Sequence, residues 1–409
     1  AYGGPLENRV RLVAELIEET KEAVAGRAAV ACRFSVGLWD PESYDAFGLL
    51  SDMPDLWDLT VPDYEMEMGT SRFTRQGALV EHVARARELT QKPVVAVGRF
   101  TDPDMMSNAI RSGAQDLIGA ARPSIADPFL PAKIREGCSE DIRECIGCNI
   151  CYAQDSMGVP IRCTQNPTMG DEWRLGWHPE RVPQALAPAR VLVVGGGPAG
   201  LEAARTLGAA GHHVMLAEAT RTLGGRVTLE SALPGLAEWA RVRDWRLGQI
   251  DKMPNVEIFR ESRIAVGDIA GLEVGHVIVA TGSAWADDGA GRHSPDGFDE
   301  VDPSMIVSAN DVLKLREIGA RHVAIYDDDH HYMGSVIALA LVRAGHEVTL
   351  VTPAGRARAW GEMTAEQYAS NAALIQAGVE IVTNRIMTHV GGGGARLACV
   401  FGGPETQIA

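Results

Sequence analysis

Residues 189–219, ARVLVVGGGPAGLEAARTLGAAGHHVMLAEA, read as strand, glycine turn, helix and strand. Gly195, Gly197 and Gly200 give the spacing G-x-G-x-x-G. The first glycine makes the tight turn, the second admits a pyrophosphate, and the third lets helix and strand pack closely. Unpaired N–H groups and the dipole at the helix N-terminus favour an anion there. Glu218 closes the second strand and is placed to accept from ribose hydroxyls; its charge argues against a 2′-phosphate. Inside an intact β-turn-α-β unit this pattern points to an ADP-containing ligand, ADP or FAD. The alternative, a glycine-rich packing turn, needs the whole context to be accidental.

Upstream, residues 164–189 form a linker with prolines at 167, 179, 183 and 188. Before it stands CIGCNICYAQDSMGVPIRC, residues 145–163. Cys145, Cys148, Cys151 and Cys163 are spaced C-x2-C-x2-C-x11-C. A compact triple of thiolates with a fourth returning from a separate loop suits a [4Fe–4S] cluster. Structural zinc usually takes two CxxC knuckles or Cys/His pairs, and a disulfide is the remaining bland reading. A cluster moves single electrons, so a donor and an acceptor are expected nearby.

Downstream, HVIVATG (276–282) reads as a buried strand ending in a Thr-Gly turn. Residues 321–352 begin a second βαβ unit, but YDDDHH (326–331) stands where a glycine triplet would be. Three carboxylates there repel a pyrophosphate, so the unit reads as Rossmann-like but degenerate for NAD(P)H. The Asp/His run could hold a metal; a solvated turn is the plainer reading.

The first 135 residues alternate helices and strands. Residues 6–25 form an amphipathic helix with Val10, Leu12, Val13, Leu16 and Ile17 near period 3.6. Strands are expected at 28–36, 56–61, 93–100 and 116–123. Polar, Gly and Arg residues at their C-terminal ends suggest the second half of a TIM barrel, with a doubly wound sheet as the alternative. Gly98-Arg99 and Ala121-Arg122 close the last two strands, where barrels commonly bind a phosphate. Bidentate arginine would strengthen such a grip.

The fold class is therefore α/β. A partial TIM barrel (1–135) is followed by an iron–sulfur loop and linker (136–188), an ADP-binding Rossmann domain (189–300) and a degenerate second one (301–409). Apolar residues make up 46% of the chain and charged ones 22%, which suits large globular cores. The formal net charge is -16 with no basic run, which disfavours nucleic acid and anionic membranes as partners. No apolar stretch is long enough to span a bilayer. Only Cys32, Cys138 and Cys399 lie outside the cluster motif, which fits the reducing cytoplasm.

In this order the motifs resemble the trimethylamine, dimethylamine and histamine dehydrogenase family, related to 2,4-dienoyl-CoA reductase and old yellow enzyme. The likeness rests on GGPLENR, LWDLTV, VGRFTDP, GAARPSIADPFLP, CIGCNICY, CTQNPTMGDEWRLGWHPE and ALPGLAEWARVRDW. It implies FMN in the barrel, a [4Fe–4S] cluster beside it, ADP in the first Rossmann unit, and a homodimer passing electrons to an electron-transferring flavoprotein. By position, Arg33 resembles the arginine at the flavin N1/O2 edge. Gly98, Arg99, Ala121 and Arg122 resemble the FMN phosphate grip, and the four cysteines the cluster ligands. Trp245 stands where the family has a surface aromatic near the acceptor's docking site; a core tryptophan is the other reading. Asp155 replaces a tryptophan of the trimethylammonium cage and resembles the acidic residue that pairs with a primary ammonium in histamine dehydrogenase; a solvent-facing Asp is the other reading. The resemblance thus implies an oxidoreductase acting on the CH–NH group of a small amine. The alternatives are an NADPH-dependent enoate reductase and a non-catalytic electron-relay subunit. The family's first barrel half has no counterpart here and the C-terminal flavoprotein strands stop short. The expectation is a fragment, or a subunit completed by another chain, inactive alone.

Overall fold

A computed structural model describes residues 2–37, 39–176, 178, 180–314 and 317–408. Trp177 and Pro179 of the expected linker lie outside the described residues. The chain divides into two compact units. One comprises Ala1–Cys151 with Cys163–Met169, the other Tyr152–Arg162 with Gly170–Ala409.

The first unit opens on the helix Leu6–Val24. Ile17 is buried, and Val10, Val13 and Ala14 pack on the core, while Leu12 and Leu16, expected in the same stripe, face solvent. The helix ends where Ala25 adopts a left-handed conformation, with φ 48°. Strands β1 (Ala31–Ser35), β2 (Leu56–Thr60), β3 (Val94–Ala96) and β4 (Leu117–Ile118) then form one parallel sheet in sequence order. That unbroken order with helical crossovers is barrel-like; a doubly wound sheet reverses order at a switch point. Trp57 and Leu59 on β2 and Phe47 on the helix Glu42–Leu50 are fully buried and fix that helix against the sheet.

Two expected strands are shorter than their apolar runs. β3 stops at Ala96, and beyond it Arg99 takes φ 53°, which a pleated strand cannot contain. The stretch 116–123 keeps only Leu117–Ile118 as strand; Ala121–Ala126 is helix. Gly119 still pairs with the Ala96 carbonyl, and the chain then turns.

In the second unit, β5 (Arg190–Val194), β6 (His213–Ala217), β7 (Val256–Phe259) and β8 (His276–Val279) make a parallel sheet in the order β7-β6-β5-β8. Val193, Leu201, Ala204, Val214 and Leu216 form its core beneath the helix Pro198–Ala209. The order reverses between β5 and β8, so the glycine turn after β5 sits at the switch point, where α/β sheets bind ligands. β9 (Glu300–Val301) leads into a smaller three-strand parallel sheet of β10 (His322–Tyr326), β11 (Glu347–Val351) and β12 (Glu380–Val382). β13 (Arg385–Gly391), β14 (Gly394–Cys399) and β15 (Thr406–Ile408) form an antiparallel meander, with β9 added parallel to β13. Tyr332 Oη donates to Glu230 Oε2 at 2.8 Å and meets Trp239 edge-on, tying this sheet's first helix to the nucleotide-binding part.

Candidate functional site: four thiols and a glycine turn

The four predicted cysteines converge. Cys145, Cys148, Cys151 and Cys163 line one small cavity together with Arg122, Asn149 and Thr164. Cys145 and Cys151 are buried, Cys148 and Cys163 half-buried, and none of the seven cysteines is in a disulfide. The disulfide reading is thereby removed. Burial pushes the Cys148 thiol up to about 12 and Cys163 to about 11, and neighbouring cysteine sulfurs add to both shifts. Thiols held so close and so dry stay protonated at neutral pH unless a cation takes the charge; a coordinated thiol loses its proton outright. Backbone N–H groups already aim at the sulfurs: Gly147 to Cys145 Sγ and Gln165 to Cys163 Sγ, both at 3.4 Å. Such donors stabilise anionic cluster sulfur and help set its potential. The residues present fit a [4Fe–4S] cluster.

The loop is anchored on all sides. Thr101 Oγ1 accepts from Cys145 N at 3.0 Å, and Ser71 bonds Ile146 O and Gly147 O. The returning segment is held by Gln165 to Glu144 O and Asn166 to Ile125 O, both 3.0 Å. Fully buried Asp127 accepts from Arg143 N at 2.7 Å and pairs with Lys133 at 2.6 Å. Several of these residues lie in the stretches that carry the family likeness, but their bracing role was read only from their shared location.

Arg99 and Arg122 are buried beyond the ends of β3 and β4, Arg122 within the helix Ala121–Ala126, and both side chains lie against the cluster loop. Arg122 Nη1 donates to Met68 O and Gly69 O at 3.0 Å and to Asn149 Oδ1 at 2.5 Å; Nη2 donates to Glu67 O at 3.1 Å. Arg99 Nη2 donates to Thr74 O at 2.6 Å. A Cβ on Gly147 would fall 2.8 Å from Arg99 Nη1, so the loop lies against this guanidinium. Gly98 accommodates Gly77, whose Cα would be 3.1 Å from a Cβ there. Ala121 starts the helix Ala121–Ala126. Arg122 thus braces the loop through Asn149, and Arg99 lies against it at Gly147 while bonded to Thr74 O. Arg33, on exposed β1, pairs with Glu67 and, at 3.6 Å, with Asp58 across the strand. Burial raises the Asp58 carboxyl, against which Arg33 works.

In the second unit the glycine turn has the geometry its spacing predicts. Gly195 has φ 107°, and a Cβ there would lie 2.3 Å from Ala280 O. A Cβ on Gly200 would lie 1.8 Å from Gly195 O, whereas one on Gly197 would meet nothing within 4 Å. Gly195 and Gly200 are thus required by the protein itself, while Gly197 leaves room for a ligand. Glu218 Oε2 accepts from Gly196 N at 2.8 Å, and Oε1 from Thr220 N and Oγ1 at 2.8 Å. Burial works to raise this carboxyl, but those hydrogen bonds outweigh it and hold it below its usual range. The turn fits a nucleotide diphosphate.

The matching turn of the smaller sheet is closed. Asp327 is 4% exposed, and burial pushes its carboxyl up to about 6. A Cβ on Gly334 would lie 2.7 Å from that carboxylate, so acid fills the space before the helix Met333–Arg343. Asp155 is exposed on the helix Ile150–Ser156. Trp245 is buried, with the Arg205 guanidinium 5.5 Å over its ring, so the core placement, not a surface ring, is what the structure gives it.

Comparison with known proteins agrees with this layout. Residues 1–141 match the NADH:flavin oxidoreductase / NADH oxidase family, and residues 189–409 match pyridine nucleotide-disulphide oxidoreductase. The chain is 34% identical to dimethylamine dehydrogenase of Hyphomicrobium sp. (strain x), over 98% of the chain and 57% of that protein. It is similar to the structure of histamine dehydrogenase from Rhizobium sp. 4-9, with TM-score 0.97 and 46% identity, covering 100% of this chain and 61% of that one. It is similar also to 6-hydroxypseudooxynicotine amine oxidase from Pseudomonas geniculata N1, with TM-score 0.94 and 43% identity, over 100% and 62%. The chain thus spans about three-fifths of the length of these relatives. With the flavin oxidoreductase part and the dinucleotide-binding part in the same order, the chain belongs to the trimethylamine, dimethylamine and histamine dehydrogenase family.

Proposed function

We propose that this chain is the electron-exporting portion of an FMN- and [4Fe–4S]-dependent amine dehydrogenase. The observation that carries the reading is the convergence of four thiols on one cavity, with backbone N–H groups already directed at sulfur. When bound, FMN would take a hydride from the amine α-carbon and the cluster would pass the electrons on singly. Arg33 would stabilise negative charge at the flavin edge, and its pairing with Asp58 and Glu67 holds it on β1 for that role. The exposed Asp155 carboxylate suits a primary or lightly substituted ammonium better than a fully methylated one, which needs aromatic rings. The glycine turn would hold ADP, with Glu218 on the ribose. An electron-transferring flavoprotein as acceptor, a homodimer and a cytoplasmic setting belong to the same reading. The rival enoate reductase needs NADPH, and the buried Asp327 stands where its pyrophosphate would go.

The test is an oxygen-free preparation with iron, acid-labile sulfide, zinc and flavin counted per chain. About four irons and four sulfides are expected. Stoichiometric zinc on the same cysteines would sink the reading. Cys148→Ser should lower iron retention sharply while leaving nucleotide binding in the second unit intact.

A further inference from the structure

The turn after β10 and the loop 283–299 bring together three side chains that the redox reading does not use. His293 Nδ1 lies 2.6 Å from Asp328 Oδ1, and His330 Nε2 lies 3.3 Å from the same oxygen. One ligand atom from each residue falls within 4.8 Å of the other two. The imidazole rings stand 84° apart with centroids separated by 5.5 Å, so they approach the carboxylate from different directions.

Three further observations mark the set as built. His330 is 4% exposed, and among the described residues its Nε2 has no hydrogen-bond partner. A buried nitrogen in that state is costly and calls for an explanation. Its other nitrogen, Nδ1, lies 3.3 Å from the hydroxyl of fully buried Thr352. A proton held on Nδ1 leaves the Nε2 lone pair facing Asp328, the arrangement a ligating histidine needs. The backbone is shaped for the approach as well. A Cβ on Gly291 would fall 2.3 Å from Asp328 Oδ2, which also accepts the His293 backbone N–H at 2.9 Å. His330 itself sits at φ 65°, a region non-glycine residues enter when surrounding structure demands it.

We propose that His293, Asp328 and His330 bind a divalent transition metal, with Zn2+ the best match, in the turn that in a functional nicotinamide site would receive the pyrophosphate. Two imidazoles and one carboxylate suit Zn2+, Fe2+ or Ni2+ and leave positions for water. The adjacent carboxylates of Asp327 and Asp329 favour a cation further. The ion would clip the loop 283–299 to the smaller sheet, so the abandoned nucleotide turn becomes a structural staple. This inference is independent of the amine dehydrogenase reading.

The experiment uses the cluster-loaded chain, freed of loose metal with a mild chelator and titrated with Zn2+. One zinc per chain should be retained with the iron count unchanged. Zinc-edge absorption should show nitrogen and oxygen at about 2.0–2.1 Å and no sulfur shell near about 2.3 Å. His293→Ala and Asp328→Asn should each weaken binding at least tenfold and abolish the rise in Tm that zinc gives the parent. The His293 side chain is 41% exposed, so its truncation should leave the metal-free Tm and nucleotide binding unchanged, which separates loss of the site from loss of the fold. No retained zinc, a sulfur shell, or variants that bind zinc as the parent does would each overturn the proposal and leave only a hydrogen-bonded His293–Asp328 pair beside the buried His330 imidazole.

Discussion

The Arg122 guanidinium joins the carbonyls of Glu67, Met68 and Gly69 to Asn149 in the cluster loop. Replacing it with leucine strips several buried acceptors of their donor at once. Arg122→Leu should cost roughly 2–4 kcal/mol and speed iron release; Arg122→Lys should recover only part, because an ammonium lacks the planar fork. Chelator-driven iron loss and thermal melts would check this, and unchanged iron release would argue against the bracing role. Glu218 carries a pH signature. Its folded carboxyl titrates below the unfolded value, so its contribution is present above the usual glutamate range and is lost as pH falls through the folded pKa. Glu218→Gln should therefore destabilise the second unit at pH 7 by only about 0.5 kcal/mol, since the group is partly open to solvent, and by nothing in strong acid. Melts of both proteins across pH 3–7 would show the gap closing, a range set by the ordinary glutamate value. Its effect on ADP affinity at neutral pH should be larger than its effect on stability.

At the scale of the element, the glycine turn separates fold from binding. Gly200→Ala forces a Cβ to 1.8 Å from the Gly195 carbonyl, which the helix and strand cannot both accommodate. It should unfold or grossly destabilise the Rossmann sheet, by more than about 3 kcal/mol. Gly197→Ala meets no atom within 4 Å, and Gly197 has φ -75°, which alanine adopts freely. That variant should melt like the parent yet lose most ADP affinity, because the methyl takes the diphosphate's place; calorimetric titration decides it, and normal affinity would remove the diphosphate from this turn. Much of this element was legible, since alternating apolar runs and glycines act locally. The helix Glu42–Leu50 was missed although Asp40, whose Oδ1 accepts from Glu42 N at 3.1 Å, is a start signal, because its burial comes from Phe34 and Trp57 beside it.

For the whole molecule, the two nucleotide folds differ in what they admit. The first leaves space at Gly197, and the second fills the equivalent turn with Asp327. In the flavin-loaded protein, NADPH should therefore not bleach the flavin under anaerobic conditions on the timescale on which a small amine, under the proposed function, does. Rapid bleaching by NADPH alone would favour the enoate reductase reading instead. The family assignment rests on order along the entire chain, with both parts matched in sequence.

From the amino acids alone came the features that depend on neighbours a few residues apart: the βα alternation, the G-x-G-x-x-G turn with its acid, and the cysteine spacing. Hydrophobic period, turn chemistry and ligand spacing are local quantities, so one dimension is enough to read them. Tertiary structure decided where long side chains reach. It bonded Arg122 to Asn149 of the cluster loop, laid Arg99 against Gly147, buried Trp245, and set His293 beside residues from a turn more than thirty positions away. Those outcomes depend on which backbone acceptors, charged side chains and apolar surfaces from distant parts of the chain meet, and only the assembled chain brings such groups within contact.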